Sequence, residues 1–382
     1  FPFEALPSPE QQQTESRFLV EDYELVYLNT GRELVRFTER HTTSQGNNMA
    51  VLVSDPALRM APTDRVIKTT QWLEANARDT QPATVAGGQT LSDAISEPFL
   101  QHTMLGAPNK DKSLGQILET LQQIEGAATF SKNILDLLLQ SGHYDVVNLY
   151  EQEEALEVRV QSLESPRVLQ VLAHGIFLPV EEEKEAGPAS MFIEGISQGN
   201  VQNPLLRSML ALAGASISTA GDIYRMGNRF LTQDEWSALE PDEREVNCEI
   251  VPLDDGRLTA YEVTGMRLHD TELVALTACN TALGDVGAGA SVAGLRRAFI
   301  TAGAHSMIMA QWEVPERSSL SQMQYFYDTW LDDDKGRYTA FRESQLKMLD
   351  SARTDVLGHP WFWAGFVYIG DPGESVDSAI ME

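Results

Sequence analysis

The feature that most constrains this chain is a series of short apolar runs separated by helical periodicity through residues 168–370. Val168-Leu169-Gln170-Val171-Leu172 and Leu273-Val274-Ala275-Leu276 are two such runs, and residues 304–312 and 363–369 have the same texture. The first lies between Pro166 and Gly175, and the last ends at Gly370-Asp371-Pro372. Short, continuously apolar runs of this kind read as strands buried on both faces. Between them lie helical stretches at 291–301, 318–330 and 340–352; the first carries Leu295, Phe299 and Ile300 as its apolar stripe. Alternating strands and helices predict an α/β fold with a mainly parallel central sheet flanked by helices.

Upstream the pattern is looser. Residues 23–28 and 49–54 read as strands, the second ended by Asp55-Pro56. Helices are expected over 64–76, 114–124, 133–140 and the Glu-rich 151–163. Residues 258–263 start a helix, with Thr259 as cap and Glu262 three positions on in capping-box spacing. The polar stretches 57–130, 180–205 and 215–256 read as insertions and loops.

In a parallel sheet, chemistry gathers outside the C-terminal ends of the strands. His174 and Cys279 each close a predicted strand, 105 positions apart. Taken singly, each has an ordinary explanation. A cysteine in an apolar strand is usually inert core, and a lone histidine is usually structural. Together they form a nucleophile and a base, because a thiol attacks only as thiolate and an imidazole can take its proton and return it to the leaving amine. Gly175 follows the histidine, and the backbone N–H groups of Gly175 and Cys279 would form an oxyanion hole.

Composition narrows the partners. The 56 acidic against 28 basic residues give a formal charge of −28, which repels nucleic-acid backbones and anionic membranes and favours neutral or basic partners. Two cysteines, Cys248 and Cys279, make no disulfide framework, so a reducing, cytoplasmic compartment is expected. No apolar run approaches the length of a membrane span. The loop at 284–289 lacks the Lys-Ser/Thr ending of a phosphate-binding loop. His143, Cys248, His305 and His359 have no metal-ligand spacing, and no cofactor is expected. Trp361 and Trp363 read as core and rim packing. Phe1 opens in what reads as the middle of a folded element, so a piece of a longer protein is expected.

At Leu172-Ala173-His174-Gly175 and Leu276-Thr277-Ala278-Cys279-Asn280-Thr281-Ala282 the chain resembles the CHAT family, caspase-like domains often fused to tetratricopeptide repeats. Further matches follow in order: Asn203-Pro204-Leu205-Leu206, Gly294-Leu295-Arg296-Arg297-Ala298-Phe299, Gln311-Trp312-Glu313-Val314, and His359-Pro360-Trp361-Phe362-Trp363. The resemblance implies a caspase-like fold related to separase, with a degenerate half at 1–150 packed on an active half at 151–382. It implies a cysteine endopeptidase with His174 as base and Cys279 as nucleophile.

Partners implied are a protein substrate, such as a gasdermin-like effector in bacterial defence or regulated cell death, and repeats in a missing N-terminal region. Asn280 stands where the family usually has Glu, and Ala282 where it has Gly; these departures bear on selectivity. Asp285 and Glu313 are candidates for recognising a basic substrate side chain, and Asn280 and Trp312 for lining the cleft. The alternative is a catalytically silent domain that serves as a protein-binding switch or scaffold.

Overall fold

The computed structural model describes residues 2–9, 17–28, 31, 48–76, 118–177, 205–217, 223–226, 229–239, 249–251, 255–277, 288–312, 314–331, 335–353 and 359–373. Its centre is a six-stranded sheet. In chain order the strands are β1 (Met49–Pro56), β2 (Val146–Gln152), β3 (Val168–Leu172), β10 (Leu273–Leu276), β11 (Ser306–Ala310) and β12 (Phe366–Gly370). Their spatial order is β12-β11-β10-β3-β1-β2. All neighbours are parallel except the β11–β12 pair, which is antiparallel. The predicted fold class is therefore the observed one. The central strands are apolar because they have no solvent face: every residue of β3 and β10 is buried.

Among the described residues there are six further short strands: β4 (His174–Phe177), β5 (Ser208–Ala211), β6 (Ile223–Met226), β7 (Arg229–Thr232), β8 (Glu249–Val251) and β9 (Arg257–Thr259). They form two small antiparallel sheets, β4-β5-β9 and β7-β6-β8. The second lies within the stretch read as an insertion.

Helices among the described residues include α1 (Leu19–Asp22), α2 (Pro62–Asn76), α3 (Ala127–Gln140), α4 (Glu157–Gln161), α5 (Gln233–Ala238), α6 (Ala260–Val263), α7 (Ala288–Ala302), α8 (Glu316–Leu331) and α9 (Arg337–Arg353). One face of the main sheet presents Val51, Leu169, Val171 and Val274 to residues of α6 and α7, including Val263, Leu295 and Phe299. The other presents Ala50, Leu52, Val168, Leu172 and Ala275 to α3, α8 and α9. On α3 the buried residues Ala127, Phe130, Ile134 and Leu138 recur at three- and four-residue steps, so one stripe faces the sheet.

The expected boundary at 150 falls inside β2, and strands from both sides of it share one sheet. Three local expectations are corrected. Residues 151–163 are not one helix: β2 runs to Gln152, and only Glu157–Gln161 is helical. Residues 23–28 make no strand of their own; Tyr27 alone bridges to Ile369, covering the outer edge of β12. Of 114–124, the described part is helical only at 118–120, and Leu121–Ile124 has no regular structure.

The two ends of the sheet have different chemistry. At the N-terminal ends of β3 and β10, Glu272 accepts from Arg167 at 2.9 Å and from Arg337 at 2.8 Å. That cluster ties strand starts to α9. The C-terminal ends carry the candidate site.

Candidate active site

β3 and β10 lie side by side and parallel, pairing Val168 with Leu273 and Val171 with Leu276. The ladder reaches one step further, through the Thr277 N–H that donates to the Val171 carbonyl at 2.9 Å. Beyond it, Ala173 turns the chain out of the sheet. His174 begins β4, opposite Ala211 of β5, and Gly175 sits buried opposite Leu210. The histidine therefore stands at the exit of a central strand, half-buried, as its place in the sequence predicts.

A small cleft opens here, lined by Ile124, Leu172, His174, Thr277, Glu316, Ser319 and Leu320. His174 and Thr277 come from neighbouring strand ends, and Glu316 and Ser319 from the first turn of α8. Glu316 suits that place, since a carboxylate at a helix start meets the positive end of the helix dipole. It also accepts from the Glu125 N–H at 3.4 Å.

The imidazole orientation follows from one contact. His174 Nε2 lies 2.6 Å from the Gln122 carbonyl oxygen. A carbonyl can only accept, so Nε2 carries the proton and donates, and in the neutral ring Nδ1 is left with the lone pair. A base needs such a free nitrogen. Sequence reasoning could not find Gln122, because it acts through its backbone and any residue type has a carbonyl.

The other candidates divide. Cys279, Asn280, Asp285 and Glu313 lie outside the described residues. Trp312 follows β11, on the same C-terminal side of the sheet. It stacks on Trp361, with ring centroids 5.9 Å apart and planes 18° from parallel, and its Nε1–H donates to the Trp361 carbonyl at 3.1 Å. Gly365 makes room for this pair: a Cβ there would stand 2.1 Å from Val314 Cγ2 and 3.1 Å from Trp312 Nε1. Trp363 is fully buried while Trp361 is exposed. Among the described residues, no group of three or more His, Cys, Asp or Glu side chains could hold a metal ion. None of the described helices is long and apolar enough to cross a membrane.

The CHAT domain family model matches residues 1–371. The chain belongs to the CHAT family. Within it, two curated relatives are tetratricopeptide repeat protein 28 of Mus musculus and of Homo sapiens. The mouse protein is 33% identical over 173 residues, which is 44% of this chain, and the human protein is 30% identical over 184 residues, which is 47%. This CHAT chain matches only 7% of the length of either relative. Among solved structures, the Arg-specific cysteine proteinase gingipain R aligns at 8% identity over 65% of this chain and 42% of its own, with a TM-score of 0.35. A complex of pro- and mature domains from Porphyromonas gingivalis aligns at 10% identity over 90% and 69%, with a TM-score of 0.33.

Proposed function

We propose that this CHAT domain is a caspase-like cysteine endopeptidase, with Cys279 as nucleophile and His174 as base. The observation that carries the reading is the strand register. β3 and β10 pair each residue with the one 105 positions later, Val168 with Leu273 through Val171 with Leu276. The Thr277 N–H still donates to the Val171 carbonyl at 2.9 Å, so the exit of β3, two positions before His174, lies beside the exit of β10 at Thr277, two positions before Cys279. Thr277, two positions before Cys279 in the sequence, shares the cleft with His174.

In the proposed reaction, His174 Nδ1 takes the Cys279 proton, and the thiolate adds to the scissile carbonyl of a protein substrate. The N–H groups of Gly175 and Cys279 receive the developing oxyanion. The imidazolium then protonates the leaving amine, and water hydrolyses the thioester. The stack of Trp312 on Trp361 would wall the substrate groove. Asn280, Asp285 and Glu313 are the proposed selectivity positions. The repeat proteins among its relatives make tetratricopeptide repeats the natural neighbouring partner.

The test is labelling of the folded chain with an electrophilic peptide probe. Cys279→Ala is expected to abolish it, and His174→Ala to slow it by about a hundredfold, the lower range of general-base contributions. Labelling that is as fast in His174→Ala as in the parent would remove the dyad and leave the silent, partner-binding reading.

A further inference from the structure

A base held by a backbone carbonyl works only as well as that carbonyl is held. Gln122 lies in the irregular stretch Leu121–Ile124, between one helical turn and α3, so no helix or sheet ladder fixes it. Side chains fix it instead. The Ile124 N–H donates to Asp55 Oδ1 at 3.3 Å. The other carboxylate oxygen, Oδ2, accepts from Gln152 Nε2 at 2.5 Å. Gln152 Oε1 in turn accepts from Gln123 Nε2 at 2.9 Å. The stretch is thus gripped at 123 and 124, beside the residue whose carbonyl meets His174. Leu121 and Ile124 are buried beneath it.

We propose that Asp55 and Gln152 are positioning residues that seat the Gln122 carbonyl and so hold His174 in its Nε2–H tautomer. This rests on the reading of His174 as the base. Both residues sit at C-terminal strand ends, Asp55 on β1 and Gln152 on β2, and β1 is the strand beside β3. Both have left-handed backbones, Asp55 at φ 44° and Gln152 at φ 51°, and the β1–β2 register shifts between Ser54 and Pro56. Such conformations are uncommon away from glycine and need surrounding structure to hold them. Asp55 is only 9% exposed. Its carboxyl is pushed above the usual carboxylate range by burial, while the Ile124 and Gln152 hydrogen bonds and the nearby His174 pull it back. The carboxylate reaches the imidazole through the loop it anchors.

The experiment reads the tautomer directly. In the full chain labelled with ¹⁵N-histidine, long-range ¹H–¹⁵N correlations in mildly alkaline buffer report which nitrogen of His174 is protonated. The parent is expected to show a single Nε2–H form. Asp55→Ala is expected to give a mixture of tautomers and to slow labelling of Cys279 about tenfold, since one seating interaction is lost. In Asp55→Asn the new amide nitrogen faces the Gln152 amide nitrogen, donor against donor. Adding Gln152→Glu restores an acceptor, so the double variant is expected to recover the parent tautomer.

A folded Asp55→Ala protein with the single parent tautomer would overturn the proposal. So would a folded Asp55→Asn/Gln152→Glu double variant that stays mixed. If Asp55→Ala does not fold, the comparison of Asp55→Asn with the double variant decides. The tautomer is also read in Cys279→Ala, so a clamp without thiol chemistry and thiol chemistry without a clamp give different results.

Discussion

Gln170 sits in the middle of the central strand, 1% exposed, where no water can satisfy its amide. Its Nε2 donates to Thr277 Oγ1 at 2.8 Å, and its Oε1 accepts from the Tyr327 hydroxyl at 2.9 Å. The amide therefore links α8 to the end of β10, two residues before Cys279. Burial pushes the Tyr327 hydroxyl well above its ordinary range, so it stays a donor at any working pH. Tyr327→Phe keeps the ring but leaves Gln170 Oε1 unpaired in the core. The expected cost is about 1–3 kcal/mol, the penalty for a buried group stripped of its partner. Urea unfolding checks this: the midpoint falls while the slope is unchanged. A midpoint equal to the parent's would mean the amide finds another donor.

Among the elements, the N-terminal strap depends on a few polar contacts. Arg342 on α9 donates from Nε to the Val20 carbonyl at 3.0 Å and from Nη2 to the Glu21 carbonyl at 3.1 Å. The Tyr338 hydroxyl accepts from the Leu25 N–H. Arg342→Met keeps the aliphatic stem and removes both donated bonds. It is expected to weaken the strap by about 2 kcal/mol, raising its open population roughly 30-fold. Limited proteolysis checks this, with faster cleavage within residues 17–28 and the sheet core still protected.

The same contrast between core and edge decides what could be read in advance. Strands β3, β10, β11 and β12 are buried on both faces, so burial alone wrote them into the sequence. β2 is an edge strand whose residues are all partly exposed apart from exposed Val146, and its Asn148, Tyr150 and Glu151 blur into the Glu-rich run that follows. β6, β7 and β8 have three or four residues each, too few to show a period, and β8 pairs with β6 from distant positions, Glu249 with Arg225 and Val251 with Ile223. At the site, His174 was visible because it follows the buried run of β3 by two positions. Gln122 was invisible because its backbone acts, and Asp55 looked like a turn residue because its neighbour is Pro56.

Over the whole molecule, charge opposes compaction: a net −28 repels itself, and the repulsion eases as carboxylates take up protons. Buried acids act in the same direction. The carboxyls of Glu4, Asp55, Asp255 and Glu262 are all raised, in each case chiefly by burial. Such a group holds its proton more tightly folded than unfolded. Its contribution to stability is therefore complete below the ordinary value, 3.8 for Asp and 4.5 for Glu, and is lost as pH rises through the raised folded value.

Glu154 runs the other way. The hydrogen bond from Lys68 lowers it, so its contribution is present above 4.5 and lost as pH falls through the lowered value. It is 42% exposed, and solvent screens the pair. Its window lies below 4.5, outside the interval in which the raised groups act, so the melting temperature is expected to rise as pH falls from neutrality towards 4.5. Glu4→Gln, which keeps an oxygen for the Tyr27 hydroxyl to donate to, should flatten that rise, and Glu154→Gln should leave it nearly unchanged. Salt separates the two causes, because it screens surface repulsion and leaves burial in place. Thermal scans across this interval at low and high salt are the check. A rise that vanishes in salt would assign the effect to the surface alone, and a melting temperature that falls throughout would remove both causes.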